Sequence, residues 1–219
     1  MTPGRLIVFF LAAPCTAEMG AAQVLTAAAS VSSAEHRVDA GIGVERSSGL
    51  LGGGRVTLGL PPRVELDFTA TAGTLERDSA NAEERHLAEV GFDARYRPLS
   101  WLWFETGVAT RTYSAPIAVQ RWTSLRLGAA ARVPFFGDRA EAVGRLLFLP
   151  LVAVTGLEQP ELAITAAAGI EYRLGPVAAG LFYSLERYDF PAQNGVTRFE
   201  QLSALTLRAS ARVLPFSGP

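Results

Sequence analysis

His86 to Pro98 reads "HLAEVGFDARYRP", and the two parities of that stretch carry opposite chemistry. Ala88, Val90, Phe92, Ala94 and Tyr96 fall on one parity; Glu89, Gly91, Asp93 and Arg95 fall on the other. Successive side chains of a strand point to opposite sides, so this alternation predicts a strand with one apolar and one polar face. Which face meets water decides the fold. A soluble barrel turns its apolar face inward, whereas a membrane barrel turns it outward to lipid and lines its lumen with the charges.

The same pattern recurs along the chain. In "GGRVTLGL", Val56, Leu58 and Leu60 oppose Arg55, Thr57 and Gly59, and in "RVELDFTATA", Val64, Leu66, Phe68 and Ala70 oppose Glu65, Asp67, Thr69 and Thr71. Leu125, Leu127, Ala129, Ala131 and Val133 oppose Arg126, Gly128 and Arg132; Leu205, Leu207, Ala209, Ala211 and Val213 oppose Thr206, Arg208, Ser210 and Arg212. In "HRVDAGIGVER" the apolar parity is read as Val38, Ala40, Ile42 and Val44, against Arg37, Asp39 and Glu45. One run departs from the rule. "VGRLLFLPLVAV", Val143 to Val154, is nearly continuous in apolar residues and contains Pro150, which predicts a bulge or bend because proline cannot donate to the ladder.

These runs amount to about ten strands, an even number that suits a closed antiparallel up-and-down barrel with both termini on one side. Tight links at Pro61-Pro62, Pro98-Leu99-Ser100, Phe135 to Arg139 and Leu174-Gly175 alternate with longer ones at 47–53, Gly73 to Glu84, Ser114 to Val119, Gly156 to Pro160 and Asp189 to Arg198. Four features favour an outward apolar face. Many strands reach the roughly 9–11 residues that a tilted strand needs to cross a bilayer. The apolar parity is free of Asp and Glu through its centre, and it is built of Ala, Leu and Val, too small to fill a soluble core closely. The strand glycines share the charged parity, where long Arg and Glu chains need small neighbours.

The chain has 219 residues and a formal net charge of −1, from 20 basic and 21 acidic residues, so no basic field points to nucleic acid. Every basic residue is arginine. Although 49% of residues are hydrophobic, no central segment approaches the ~18 uninterrupted apolar residues of a membrane helix. Residues 1–22, "MTPGRLIVFFLAAPCTAEMGAA", read as a secretory signal: Arg5 opens it, Leu6 to Ala13 are apolar, and small residues follow. Cys15, the one cysteine, lies inside it, so a cleaved chain forms no disulfide. Residues 23–34, small and weakly patterned, are expected to be a short leader before a barrel over 35–216 and a tail at 217–219.

On this pattern the chain resembles the small bacterial outer-membrane β-barrel proteins as a class. The resemblance covers residues 35–216 together with the signal. It implies export through the periplasm to the outer membrane, contact with membrane lipids and lipopolysaccharide, and handling by the barrel-assembly machinery. Members of the class often end in an aromatic residue; here Phe216 is followed by Ser217-Gly218-Pro219.

The polar parity defines the candidate site, a lumen charge network of Asp39, Glu45, Arg55, Glu65, Asp67, Glu89, Asp93, Arg95, Glu105, Arg111, Arg126, Arg132, Arg145, Glu171, Glu186, Arg208 and Arg212. Mixed signs in a narrow bore pair across strands and fill it; the same groups in an open bore would set the selectivity of a porin-like channel. Trp101, Trp103, Tyr113 and Trp122 share this parity, which means a shift of register or plugged barrel mouths. Catalysis has thinner support. His36 is placed at the start of the first strand, and His86 at the outer rim beside Glu83, Glu84 and Arg85, where acid–base work would need Glu186 or Asp189 within reach. No Gly-x-Ser-x-Gly elbow is present, the glycines of "GIGVER" are half a dinucleotide fingerprint, and no Cys/His cluster suggests a metal or other cofactor. The expected role is structural, or passive diffusion of small solutes. The alternatives are a soluble secreted barrel holding an apolar ligand and a surface enzyme with its site at the outer rim.

Overall fold

The computed structural model describes residues 24–213 except 42, 80, 81, 117, 138 and 194, and the side chain of Gln193 is likewise left aside. The signal at 1–22 with Cys15, and Phe216 with the tail at 217–219, lie outside the described residues. Ten strands follow in order: β1 (Val24–Asp39), β2 (Val44–Leu60), β3 (Val64–Arg77), β4 (Arg85–Leu99), β5 (Leu102–Ser114), β6 (Val119–Phe135), β7 (Ala140–Val154), β8 (Leu162–Leu174), β9 (Val177–Gln193) and β10 (Val196–Val213). Each pairs antiparallel with its neighbours in sequence, and β1 closes the cylinder on β10 from Leu25↔Val213 to Asp39↔Phe199. Closure leaves no sheet edge.

The apolar parity points outward. Phe68, Val90, Phe92, Phe104, Val108, Leu146 and Leu207 are exposed, while Asp67, Asp93, Arg95, Glu105, Arg111 and Arg126 are buried inside. More large apolar side chains are exposed than buried, the reverse of a water-soluble core. Near the end where β1 begins and β10 finishes, Tyr96, Trp101, Phe104, Phe135, Phe136 and Tyr172 form an exposed aromatic belt. This is the turn end, closed by links at 61–63, 100–101, 136–139 and 175–176. The opposite, loop end carries the links at 40–43, 78–84, 115–118, 155–161 and 194–195.

Three sequence expectations are corrected. Residues 24–34 are not a leader but the first two-thirds of β1, paired on both sides, for example Ala28↔Ser210 and Ala28↔Arg55. Small residues carry a weak hydrophobic signal, yet they pair as well as large ones once both neighbours are in place. The link expected at 47–53 is likewise unbroken strand within β2, Ser47 opposite His36 and Gly53 opposite Ser30, and the actual turn is at 40–43. The link expected from Asp189 to Arg198 is mostly strand, since β9 runs to Gln193 and β10 starts at Val196. Longer strands thus shorten the loops.

The expected bulge in β7 is present. Leu125 opposes Leu151 but Leu127 opposes Phe148, so β7 holds one extra residue at Leu149-Pro150. Before it Leu147 and Leu149 face inward; after it the inward parity switches to Val152 and Val154. The continuous apolar run therefore has two apolar faces, with Leu146, Phe148 and Leu151 outside and the other four within.

Candidate functional site

The lumen is layered along the barrel axis. Toward the loop end most inward residues are apolar: Leu51, Leu75, Leu87, Tyr113, Trp122, Leu147, Leu149, Val152, Val154, Tyr188, Phe190 and Leu202 pack as one buried cluster. Trp122 is its hub. Its ring meets Tyr188 at 4.9 Å, Phe190 at 6.0 Å and Tyr113 at 6.3 Å between centroids, all edge-to-face, the geometry the ring quadrupoles favour. The space between His36, Tyr113, Trp122 and Glu200 holds no water-sized void. Of the aromatics expected on the lumen parity, Tyr113 and Trp122 plug the loop end and Trp103 is buried in the wall of a cavity nearer the turn end, whereas Trp101 is exposed on the outside, in the aromatic belt.

Below the plug lies a charged layer made by facing strands. Glu89 of β4 stands directly opposite Arg111 of β5. Its carboxylate accepts from Arg111 and, at 2.8 Å, from Arg126 Nη2 of β6, while Arg111 Nη2 also donates at 2.7 Å to Glu186 of β9. The Tyr188 hydroxyl donates to Glu186 at 3.0 Å and ties the layer to the plug. Two carboxylates and two guanidinium groups thus neutralise one another across the bore. A pair like this persists out of water because hydrogen bonds accompany the Coulomb attraction.

Toward the turn end, carboxylates face each other in two places. Asp67 and Asp93 are opposed across β3 and β4, as are Glu141 and Glu171 across β7 and β8. Like charges in register repel, and in each case arginines intervene. Arg95 pairs with Asp67 and, at 3.1 Å, with Glu65; Arg145 pairs with Glu105 and stands 3.6 Å from Asp93. Arg173 donates to Glu141 at 2.9 Å and Arg208 to Glu171 at 2.8 Å. Gly107 sits beside Asp93, where a Cβ would collide with the carboxylate and with the Phe92 carbonyl, so a side chain is excluded by the charge it would displace. Between these walls are two adjoining cavities of about 210 and about 220 Å³, the lower one predominantly polar and open at the turn end, the upper one of mixed lining with Trp103 and Phe182 in its wall. Arg55 and Arg132 reach them from β2 and β6, and Arg212 stands at the mouth.

At the loop-end rim the arrangement differs from expectation. Glu45 faces inward and pairs with Arg85 at 2.9 Å. Asp39, expected in the lumen, lies on the outward parity and pairs with Arg37 at 3.5 Å, while Val38, expected outside, is buried. Val38 faces inward because β1 keeps a single inward parity, Ser32, Ala34, His36 and Val38, up to the turn at 40–43. His36 is not at the first strand's start but near its loop end, 3% exposed, with Nε2 at 3.2 Å from Glu200 and its ring stacked on Tyr113 at 4.8 Å. Glu200, held also by Arg198, is absent from the expected network because the pattern around it predicts a link up to Arg198 and no alternating strand before Leu202. Glu141 is absent from the expected network because the apolar run that marks this strand begins at Val143, whereas β7 begins at Ala140 and "AEAVGR" already alternates.

His86 is exposed. Its Nδ1 is 2.8 Å from Thr74 Oγ1 and its Nε2 3.9 Å from Glu84. Glu186 is engaged by Arg111 and Asp189 by Arg187, so neither of the partners considered for a rim catalytic pair serves His86. Among the described residues no group of three or more His, Cys, Asp or Glu side chains is disposed to hold a metal ion.

No family model matches the chain, and neither does any curated protein. Solved structures do. An outer membrane channel from Pseudomonas putida F1 is 12% identical with a TM-score of 0.49, over 92% of this chain and 99% of that one. The translocator domain of autotransporter NalP from Neisseria meningitidis is 14% identical with a TM-score of 0.46, over 87% and 88%. Neisserial surface protein A is 11% identical with a TM-score of 0.41, over 86% and 97%. In fold, the chain is a closed ten-stranded antiparallel β-barrel, and it resembles bacterial outer-membrane barrel proteins as a class.

Proposed function

We propose that this barrel spans a bacterial outer membrane as a structural element with a closed lumen. The observation that carries the reading is the packed cluster around Trp122, where the spaces left between side chains are no more than about 10 Å³ and pass no solute. The membrane part rests on the outward apolar surface, larger than the few hundred Å² that a soluble monomer exposes, and on the aromatic belt at the turn end. Membrane lipids are the natural partners of that surface. At the loop-end rim Arg46, Arg37, Gln201 and Arg187 stand in one outward row across four adjacent strands, suited to the phosphates of lipopolysaccharide headgroups. Export through the periplasm and handling by the barrel-assembly machinery follow from the same reading.

The test has two steps. In fractionated cells the mature chain is expected with the outer membrane and to change gel mobility on boiling, because a closed hydrogen-bond network resists detergent. A periplasmic chain without a heat shift would end the membrane reading. In planar bilayers the purified protein is expected to give no conductance steps. Reproducible ohmic steps would instead mean a passive diffusion channel.

A further inference from the structure

We propose that the cavity at the turn end is a binding cup for a small phosphate-type oxyanion, gripped by arginines at its waist. Arg55, Arg95, Arg132 and Arg208, from four different strands, line both compartments and so ring the constriction between them. The charge around this space is unbalanced. Six arginines but only two glutamates line the lower compartment, and five arginines but two acids line the upper one.

The acids present are already engaged: Glu65 and Asp67 by Arg95, Glu171 by Arg208, Glu105 by Arg145. Among the described residues, the side chains of Arg55 and Arg212 make no hydrogen bond or ion pair, and the nearest carboxylate to Arg132 is Glu141 at 3.9 Å. Arg95 is 6% exposed, and its Nε has no partner among the described residues.

Guanidinium groups gathered in a protein-walled space repel one another with little screening, and such a space concentrates anions. Their planar forks match the oxygens of phosphate, two donors to two acceptors. Compartments of about 210 and 220 Å³ suit inorganic phosphate or the phosphate end of a small molecule, with its water, and not a folded segment. The charged layer of Glu89, Arg111, Arg126 and Glu186, with the plug above it, closes the cup at its inner end. The ligand therefore comes and goes by one mouth, as in a receptor and unlike a conduit. This inference concerns the lumen alone and does not depend on what surrounds the barrel.

The test is isothermal titration of the full-length, detergent-solubilised protein with sodium phosphate, against sodium chloride at equal ionic strength. Saturable binding specific to phosphate is expected. Arg55→Gln should weaken it by roughly tenfold or more, the loss of one charge-assisted hydrogen bond. Arg121→Gln, exposed on the outer wall of β6, should leave it unchanged. If Arg55→Gln loses the heat-resistant fold, Arg212→Gln at the open mouth takes its place, with a roughly threefold loss expected from one more distant charge. No saturable binding by the parent protein, or parental affinity in the folded lumen variant, would overturn the proposal.

Discussion

Glu89 shows what one residue does in this lumen. It is the one carboxylate paired with Arg126 among the described residues, and it shares Arg111 with Glu186. Replacing it with Gln keeps the shape and removes the charge, leaving Arg126 buried and unpaired. An uncompensated buried charge costs about 3–5 kcal/mol. Glu89→Gln should therefore lower unfolding stability by about 3 kcal/mol in urea titrations followed by tryptophan fluorescence. Glu84→Gln, exposed at the rim, should change it by less than about 0.5 kcal/mol. Adding Arg126→Met to Glu89→Gln should recover part of the loss; if the double variant is worse than the single one, the charge imbalance is not its cause. Residues of this kind were legible as lumen charges from parity. Their partners were not, because parity assigns a face and says nothing about which strand lies across a bore.

At the scale of the element, β1 carries the largest departure from expectation. Its first part, residues 24–34, is rich in Ala and Ser and looks like a spacer. In the structure it hydrogen-bonds to β2 on one side and β10 on the other, and so closes the cylinder. Deleting residues 24–34 should therefore abolish the heat-modifiable form altogether, as two long edges would be left unpaired. A dispensable leader would leave the gel shift intact. The bulge in β7 is the contrary case, since Pro150 announces it from sequence and the register confirms it between Leu125 and Leu127. A missing N–H is a property of one residue and can be read locally. Whether a run of small residues is strand depends on the neighbours that it meets.

For the whole molecule the decisive property is the direction of its faces. Phe92 lies at the centre of β4 and points outward, 46% exposed. If lipid surrounds the barrel at that level, Phe92→Arg should cost about 2–4 kcal/mol when folding into vesicles is measured. A cost near zero would mean that water reaches the outer wall there. The same outward direction explains why the interior is divided. Once small side chains and arginines share a narrow bore, one end can be filled by aromatics while the other keeps a charged cavity.

The amino-acid sequence by itself determined the alternation, the strand number, the identity of the polar face and the break at Pro150, because each follows from local periodicity or from one residue's covalent chemistry. It also placed Trp101, Trp103, Tyr113 and Trp122 on the lumen parity and left two explanations for them. Only the tertiary structure decided between those, by bringing Trp122 against Tyr188 and Phe190 from a distant strand. It likewise turned Val38 inward and Asp39 outward, joined His36 to Glu200 across 164 residues, and showed which arginines find no carboxylate among the described residues. Those outcomes depend on closure and register. Both are set by the ladder as a whole, so no local window of sequence contains them.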